Sequence, residues 1–406
     1  MPNDPVADIL ALPVPRRPVM VDTAQPKALW RHKGGWSEAD IPPRRWIVPR
    51  YLMRGSVSLI AGPGSAGKSS LIKAWMVALA FGQPFSRFQV TTPMKVLSYN
   101  VEDNLQEEQR RTSSTLRQFH RTSEEIPDTL QFIGPTHIGV LVQRDAVTGF
   151  VVNQPAMDEL IAILDEFRPD VLILDPLVEL HTADENDNTG IRAVIATFRA
   201  LAVQYDCAIL IAHHVRKGTL SPGEPDGIRG GGSIVGAVRS AFTLLPMTEE
   251  EAGRLNVDPK RRRWYFRLDD AKQNYAPIED AEWFQRQVYT LGNDEEVVAA
   301  EPWQPPSPWD GLTWPMIDAI LDRINAGLTD GRHYVLSRQA KDRWVGAVVM
   351  DVAGKSDGQA ATIVRKWHEE GVLYTNTARN PVIRKDEVVV LADTAKMATM
   401  RAGGEA

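Results

Sequence analysis

Eight consecutive residues, Gly62-Pro63-Gly64-Ser65-Ala66-Gly67-Lys68-Ser69, fit the spacing G-x-x-x-x-G-K-[ST] at every fixed position. Glycines let a backbone curl until successive N–H groups converge on an anion. A lysine in the seventh place reaches the β- and γ-phosphates of a nucleotide, and the hydroxyl in the eighth ligates Mg²⁺. Ser70 follows in the helix that begins here, whose free N–H groups add to the anion site. The stretch therefore predicts a purine nucleoside triphosphate with Mg²⁺. A glycine-rich turn that binds nothing is the competing reading, and the strand–turn–helix setting argues against it.

Carboxylates stand where further strands end. Lys95 to Asn100 reads as a strand and is followed by Val101-Glu102-Asp103-Asn104; Val171-Leu172-Ile173-Leu174 is an apolar run ending in Asp175. The carboxyl ends of parallel strands form the ligand-binding edge of such sheets. An acid at Asp175 can hold the water shell of Mg²⁺ opposite the phosphate loop, the alternative being a capping Asp after a core strand. Cys207 to Ala212 is a further buried strand, ending in His213-His214-Val215-Arg216-Lys217-Gly218. A Gly-, Pro- and Ser-rich segment then closes with Arg229-Gly230-Gly231-Gly232-Ser233. A helix through Arg239, a strand at 241–245, the basic run Lys260 to Arg263, a strand at 264–268 and Lys272-Gln273-Asn274-Tyr275 follow.

These residues need a scaffold, and apolar periodicity supplies one. Val57 to Ala61 reads as a buried parallel strand, and Leu71, Ile72, Trp75, Met76 and Leu79 continue it as a helix. Helices over 104–120, 156–168 and 190–204 alternate with the strands, and 130–153 reads as short strands and turns. The expectation is an α/β fold with one doubly wound, mostly parallel sheet over residues 29–295. Residues 1–28, with six prolines, form a disordered or loosely docked arm. A Trp- and Pro-rich linker at 296–311 leads to a small C-terminal domain at 312–395, and 396–406 is a tail. Within that domain Ile317, Ile320, Leu321 and Ile324, and again Ala360, Ile363, Val364 and Trp367, repeat at helical spacing. Helices at 314–327, 337–350 and 357–370 before strands at 372–377 and 382–391 give the order of a winged helix.

Composition sets outer limits. The 406 residues carry a net charge of −6, which gives no global attraction to nucleic acid but leaves room for a local basic groove. No apolar run approaches the ~20 residues of a membrane span, and no secretory leader is visible. The single Cys207 excludes an internal disulfide and a multi-cysteine zinc site. A cytoplasmic protein without a membrane anchor is the expectation.

Taken together the motifs resemble RecA-fold ATPases of the AAA family, and within them the RepA-type hexameric replicative helicases of plasmids and phages. The resemblance runs from about Ile41 to Tyr275 and rests on IPPRRW, SYNVED, LDPL, HH-x-x-K-G and K-x-N-Y. It implies a RecA-like P-loop NTPase with ATP and Mg²⁺ as cofactors. Glu102 then orients the attacking water, with Asp103 as its neighbouring competitor, and Asp175 with Ser69 serves the metal. His213 or His214 senses the γ-phosphate, against the alternatives of a zinc ligand or an ordinary histidine. Arg239 resembles an arginine finger supplied to a neighbouring copy, with Arg229 as runner-up, and Lys272 either assists from the same side or makes a plain salt bridge. Arg216, Lys217 and Arg229 face single-stranded DNA in the channel of a homo-hexameric ring. Lys260 to Arg263 adds to them or is a solvated turn. The C-terminal domain docks a replication initiator or primase, or touches DNA through Arg365, Lys366, Arg384 and Lys385. The activity implied is an ATP-dependent DNA helicase or translocase in plasmid- or phage-type replication. A RecA-like recombination or repair ATPase and an ATP-gated DNA-binding regulator are the alternatives.

Overall fold

Short apolar runs bounded by turn residues fold as the inner strands of one sheet. The computed structural model describes residues 34–403 apart from 136–137, 146–148, 184–186, 216–217, 219, 225–226 and 229–230. In chain order, β1 (Trp46–Val48) and β2 (Leu52–Met53) make a small antiparallel pair. β3 (Ser56–Pro63) leads to α1 (Lys68–Phe81), and β4 (Val96–Asn100) to α2 (Leu105–Gln118). β5 (Leu130–Ile133) precedes a hairpin of β6 (Val142–Asp145) and β7 (Gly149–Val152). Then come α3 (Gln154–Phe167), β8 (Val171–Asp175), α4 (Asn188–Gln204), β9 (Ala208–Val215), α5 (Gly231–Ala237) and β10 (Ser240–Pro246). α6 (Glu249–Arg254) is followed by β11 (Tyr265–Gln273), β12 (Glu282–Thr290) and β13 (Glu296–Pro302). The chain ends with α7 (Trp314–Ala326), α8 (Val345–Ala353), α9 (Asp357–Glu369), β14 (Leu373–Arg379), β15 (Asp386–Ala392) and α10 (Thr394–Gly403).

Nine strands form the central sheet in the order β13-β12-β11-β10-β3-β9-β8-β4-β5. From β10 to β5 every pairing is parallel. β11 runs antiparallel to β10, and β13 antiparallel to β12. A parallel sheet covered on both faces requires strands that are apolar throughout, and β3, β4 and β8 are buried at every position. Side chains alternate between the faces. Leu59, Leu172, Leu174, Ile209 and Ile211 pack with Leu160 and Leu164 of α3 and Val194 and Phe198 of α4. Ile60, Ile173 and Leu210 pack with Leu71, Trp75 and Leu79 of α1. α1 is buried on nearly all sides, and Trp75 stacks on Phe88 at 4.4 Å between ring centroids.

The chain divides into two compact units, Met1–Pro246 with Phe266–Pro302, and Met247–Tyr265 with Trp303–Ala406. In the second, Ile317, Ile320, Leu321 and Ile324 of α7 share a core with Val345, Val348 and Val349 of α8 and Ile363, Val364 and Trp367 of α9. Ser356 and Gln359 close a capping box at the start of α9. β14 and β15 pair as an antiparallel hairpin.

Four expectations change. The linker at 296–311 begins only after Pro302, because Glu296–Pro302 pairs with β12 along its whole length as an edge strand. The helix expected at 337–350 is interrupted: Arg338–Arg343 is 3₁₀ and Lys341 has φ +52°, so α8 starts at Val345. The tail at 396–406 is largely helical, since α10 runs to Gly403 and buries Met397. Met247–Tyr265, expected inside the ATPase domain, packs with the C-terminal unit. The arm at 1–28 lies outside the described residues.

The indole N–H of Trp75 is buried without a hydrogen-bond partner among the described residues, so this position is held by ring packing alone. Trp75→Ala should cost about 3–5 kcal/mol in urea unfolding, and Trp75→Phe, which keeps an aromatic ring to stack on Phe88 but loses part of the indole volume, should cost less.

Candidate active site

The phosphate loop is shaped by its neighbours as well as by its glycines. A Cβ on Gly62 would sit 2.5 Å from the Leu244 carbonyl oxygen of β10, so the backbone can pass there only without a side chain. Gly67 has φ +113°, and a Cβ on it would also press on the Phe266 ring at 3.2 Å. Ser65 adopts φ +65°. α1 starts at Lys68 with Gly67 as its N-cap and no side chain capping it. Its first N–H groups are thus presented to whatever lies over the loop, as an anion site requires.

Lys68 is buried, and its Nζ donates to the Gly62 carbonyl at 2.8 Å and the Pro63 carbonyl at 3.1 Å. Burial pushes its pKa down to about 8, against the opposing pull of Asp175 and Glu102. His214 Nδ1 lies 3.2 Å from the same ammonium, and His214 Nε2 lies 3.5 Å from Glu102 Oε1. One imidazole therefore spans the lysine of the loop and the candidate carboxylate.

Strand register explains the convergence. β9 lies beside β3 with His213 opposite Ala61 and His214 opposite Gly62. β4 lies beside β8 with Asn100 opposite Asp175, and the Val101 N–H donates to the Asp175 carbonyl at 3.0 Å. All three strand ends thus arrive at the edge where β3 becomes the loop. His213 points into the interior and is 1% exposed, whereas His214 lines the cavity above the loop. Among the described residues no cluster of three His, Cys, Asp or Glu suits a metal ion. Glu102 lines the same cavity; Asp103 is instead held by Arg111 at 3.1 Å and by the Asn100 amide at 3.1 Å.

Asp175 is buried, and its pKa is pushed up to about 6 by burial, against the pull of Lys73 and Lys68. Its Oδ1 has no hydrogen-bond partner among the described residues. A buried acceptor without a donor is costly unless a cation completes it. That oxygen, together with Ser69, which lines the cavity, suits Mg²⁺, a hard cation that takes oxygen ligands and keeps several waters.

The cavity has a volume of about 780 Å³. Ser65, Gly67, Lys68, Ser69 and Ser70 form its floor with Glu102 and His214, and Glu107, Arg110 and Arg111 of α2 form one wall. The other wall is Arg286 of β12 and Glu295 to Val298, which sequence reading missed because it ended the sheet before β13. Arg286 Nη2 donates to the Ser65 carbonyl at 2.6 Å, and its guanidinium lies 5.3 Å over the Phe266 ring. Phe266, Phe284 and Phe85 continue that stack at 5.5 and 5.8 Å. The only sequence signal for β12 is the alternation in Trp283-Phe284-Gln285-Arg286-Gln287-Val288-Tyr289.

Arg239 and Lys272 are not brought to this loop. Arg239 precedes β10, and its N–H donates to the carbonyl of Val57, at the opposite end of β3 from the phosphate loop. It is exposed, and its guanidinium and that of Arg44 lie over the same Tyr275 ring, at 5.7 and 5.0 Å. Lys272 donates to the carbonyls of Val235 (2.7 Å) and Gly236 (3.1 Å) in α5. Burial and the nearby Arg239 and Arg199 lower its pKa. Within one subunit it is a helix-binding cation and does not reach the phosphate loop. Arg216, Lys217 and Arg229 lie outside the described residues.

Lys68→Ala should abolish measurable turnover and weaken nucleotide binding. Arg286→Ala, losing one charge-assisted contact worth about 1.5–3 kcal/mol, should raise the Kd for a fluorescent ATP analogue by roughly 10- to 100-fold. Titration of each variant with the analogue checks both. Residues 22–219 match the family model described as the AAA domain, and this segment, which carries the phosphate loop, Glu102, Asp175 and His214, is similar to AAA-type P-loop ATPases.

Proposed function

We propose that the protein is an ATP-driven DNA helicase or translocase that hydrolyses ATP between the copies of a homo-hexameric ring, in replication of the plasmid or phage type. The observation that carries this reading is the position of His214. It lies against both Lys68 and Glu102 and stands two residues before Arg216 in the chain. A change at the γ-phosphate is thereby connected through a short covalent path to the cationic segment 216–229, which is suited to backbone contacts with single-stranded DNA.

The geometry supports a division of labour. The loop N–H groups and Lys68 would hold the β- and γ-phosphates, and Ser69 and Asp175 would hold Mg²⁺, which would supply charge neutralisation. Glu102 orients the attacking water and takes its proton. His214, in contact with both, reports whether the γ-phosphate is present. Arg239 stands exposed at the starting end of β10, far from its own loop, and would act on a neighbouring copy's nucleotide. A rotationally closed ring repeats that contact at every interface. The second unit, with its three helices and hairpin, serves as a winged-helix-like module for an initiator, a primase or DNA; Arg365, Lys366, Arg384 and Lys385 are exposed on it.

Glu102→Gln should retain ATP while lowering turnover by about 10²–10⁴-fold, the usual contribution of a general base. Arg239→Ala should lower turnover by about 10³-fold or more, and mixing it with Lys68→Ala subunits should restore part of the activity, because some mixed interfaces regain an intact site. Electron microscopy with ATP and single-stranded DNA, beside unwinding of a forked substrate, tests the whole reading. Closed rings that unwind support it. Open filaments would favour a recombination ATPase, and duplex binding without DNA-stimulated turnover a regulator. A monomer that cleaves no ATP with Mg²⁺ and single strands present would overturn it.

A further inference from the structure

Asn100 ends β4 and is 3% exposed. A buried amide must find partners inside the protein, and those of Asn100 belong to the turn that carries Glu102 and to the helix after it. Its Oδ1 accepts the backbone N–H groups of Glu102 at 2.9 Å and Asp103 at 3.1 Å. Its Nδ2 donates to Asp103 Oδ2 at 3.1 Å and to Glu108 Oε1 at 2.5 Å. The other oxygen of Glu108 is paired with the Lys73 ammonium, and both side chains are under 5% exposed. Lys73 lies on α1, five residues beyond Lys68.

Stability alone does not account for this arrangement. An apolar pair of the same volume is often as stable as a buried ion pair, or more so. What the charges add is direction. An amide side chain can turn either its oxygen or its nitrogen toward the Glu102 turn, and only the oxygen accepts N–H groups. An ionised Glu108 accepts hydrogen bonds and donates none, so it selects the orientation in which Nδ2 faces it and Oδ1 faces the turn. Lys73 pairs with the remaining Glu108 oxygen and fixes the carboxylate between α1 and Asn100.

We propose that Lys73, Glu108 and Asn100 form a positioning relay that ties the Glu102 turn to the phosphate-loop helix, so that the water-orienting carboxylate and the bound triphosphate keep a fixed separation. This rests on the reading of Glu102 as the group that orients the water. None of the three touches substrate; they act through the backbone of residues 102 and 103. A displacement of about 1 Å at a reacting group lowers rates by about 10²-fold, which sets the size of the expected effect.

The test compares turnover, ATP affinity and unfolding midpoint in the full-length chain. Asn100→Ala should lower kcat by roughly 10- to 100-fold while the Kd for ATP stays within about threefold, since the loop itself is untouched. Asn100→Asp keeps an acceptor for the two N–H groups but sets a second carboxylate against Glu108, and should be similarly slow. Combining it with Glu108→Gln exchanges amide and carboxylate, restores a donor–acceptor pair, and should regain activity over Asn100→Asp alone. A merely structural role predicts no such gain in kcat. A folded Asn100→Ala protein with kcat within twofold of the parent would overturn the relay. Should Asn100→Ala not fold, the exchange decides, and a double variant no more active than Asn100→Asp would overturn it as well. Normal turnover in Glu102→Gln would instead remove the underlying assignment, whereas an inactive Glu102→Gln beside a fully active Asn100→Ala would remove the relay alone.

Discussion

The structure depends on the close passage of backbone through the β3–α1 turn. Gly62 slides past the carbonyl of Leu244, and Gly67 turns left-handed against Phe266. The loop is thus clamped by β10 and β11, strands far away in sequence, and its N–H groups are aimed before any anion arrives. Preorganised donors cost no rearrangement when charge reaches them. The burial of Lys68 and Asp175 follows from the same crowding: each is a charge held in a place where water is scarce, Lys68 drawn by Asp175 and Glu102, and Asp175 drawn by Lys73 and then Lys68.

Around that turn the sheet divides its labour by strand direction. The parallel strands deliver Glu102, Asp175 and His214 to one edge, because parallel neighbours end together. Arg239, Lys272 and Tyr275 stand at the starting end of β10 and the finishing end of β11, which runs the other way. The antiparallel β12 and β13 return to the loop and bring Arg286 with them. A single sheet therefore carries the phosphate-loop cavity at one end of its parallel strands and the exposed Arg239 at the other.

The local parts of this design were legible in the sequence. The phosphate loop is contiguous, the parallel strands are uniformly apolar, and α7 and α9 repeat at helical spacing, so each is visible in a window of a few residues. What escaped reading was non-local. β13 carries Val297, Val298, Ala299 and Ala300 between glutamates and looks like a linker until β12 lies beside it. The Lys73–Glu108 pair carries no signal in the sequence, because no pattern in one helix shows that another covers it. The choice between His213 and His214 was undecidable for a related reason: alternation sends one side chain inward and the other to the loop, and only the register with β3 says which.

The second unit is not contiguous in the chain. Met247–Tyr265 belongs with Trp303–Ala406, while Phe266–Pro302 belongs to the ATPase sheet. α6 packs so tightly on α9 that a Cβ on Gly358 would fall 2.5 Å from the Arg254 Cα. Cutting the polypeptide at residue 303 would consequently leave the terminal piece without a helix that its own packing calls for, and would strand that helix on the other fragment. The two halves are interleaved along the polymer, so recombination could not swap the appendage between proteins with a single crossover.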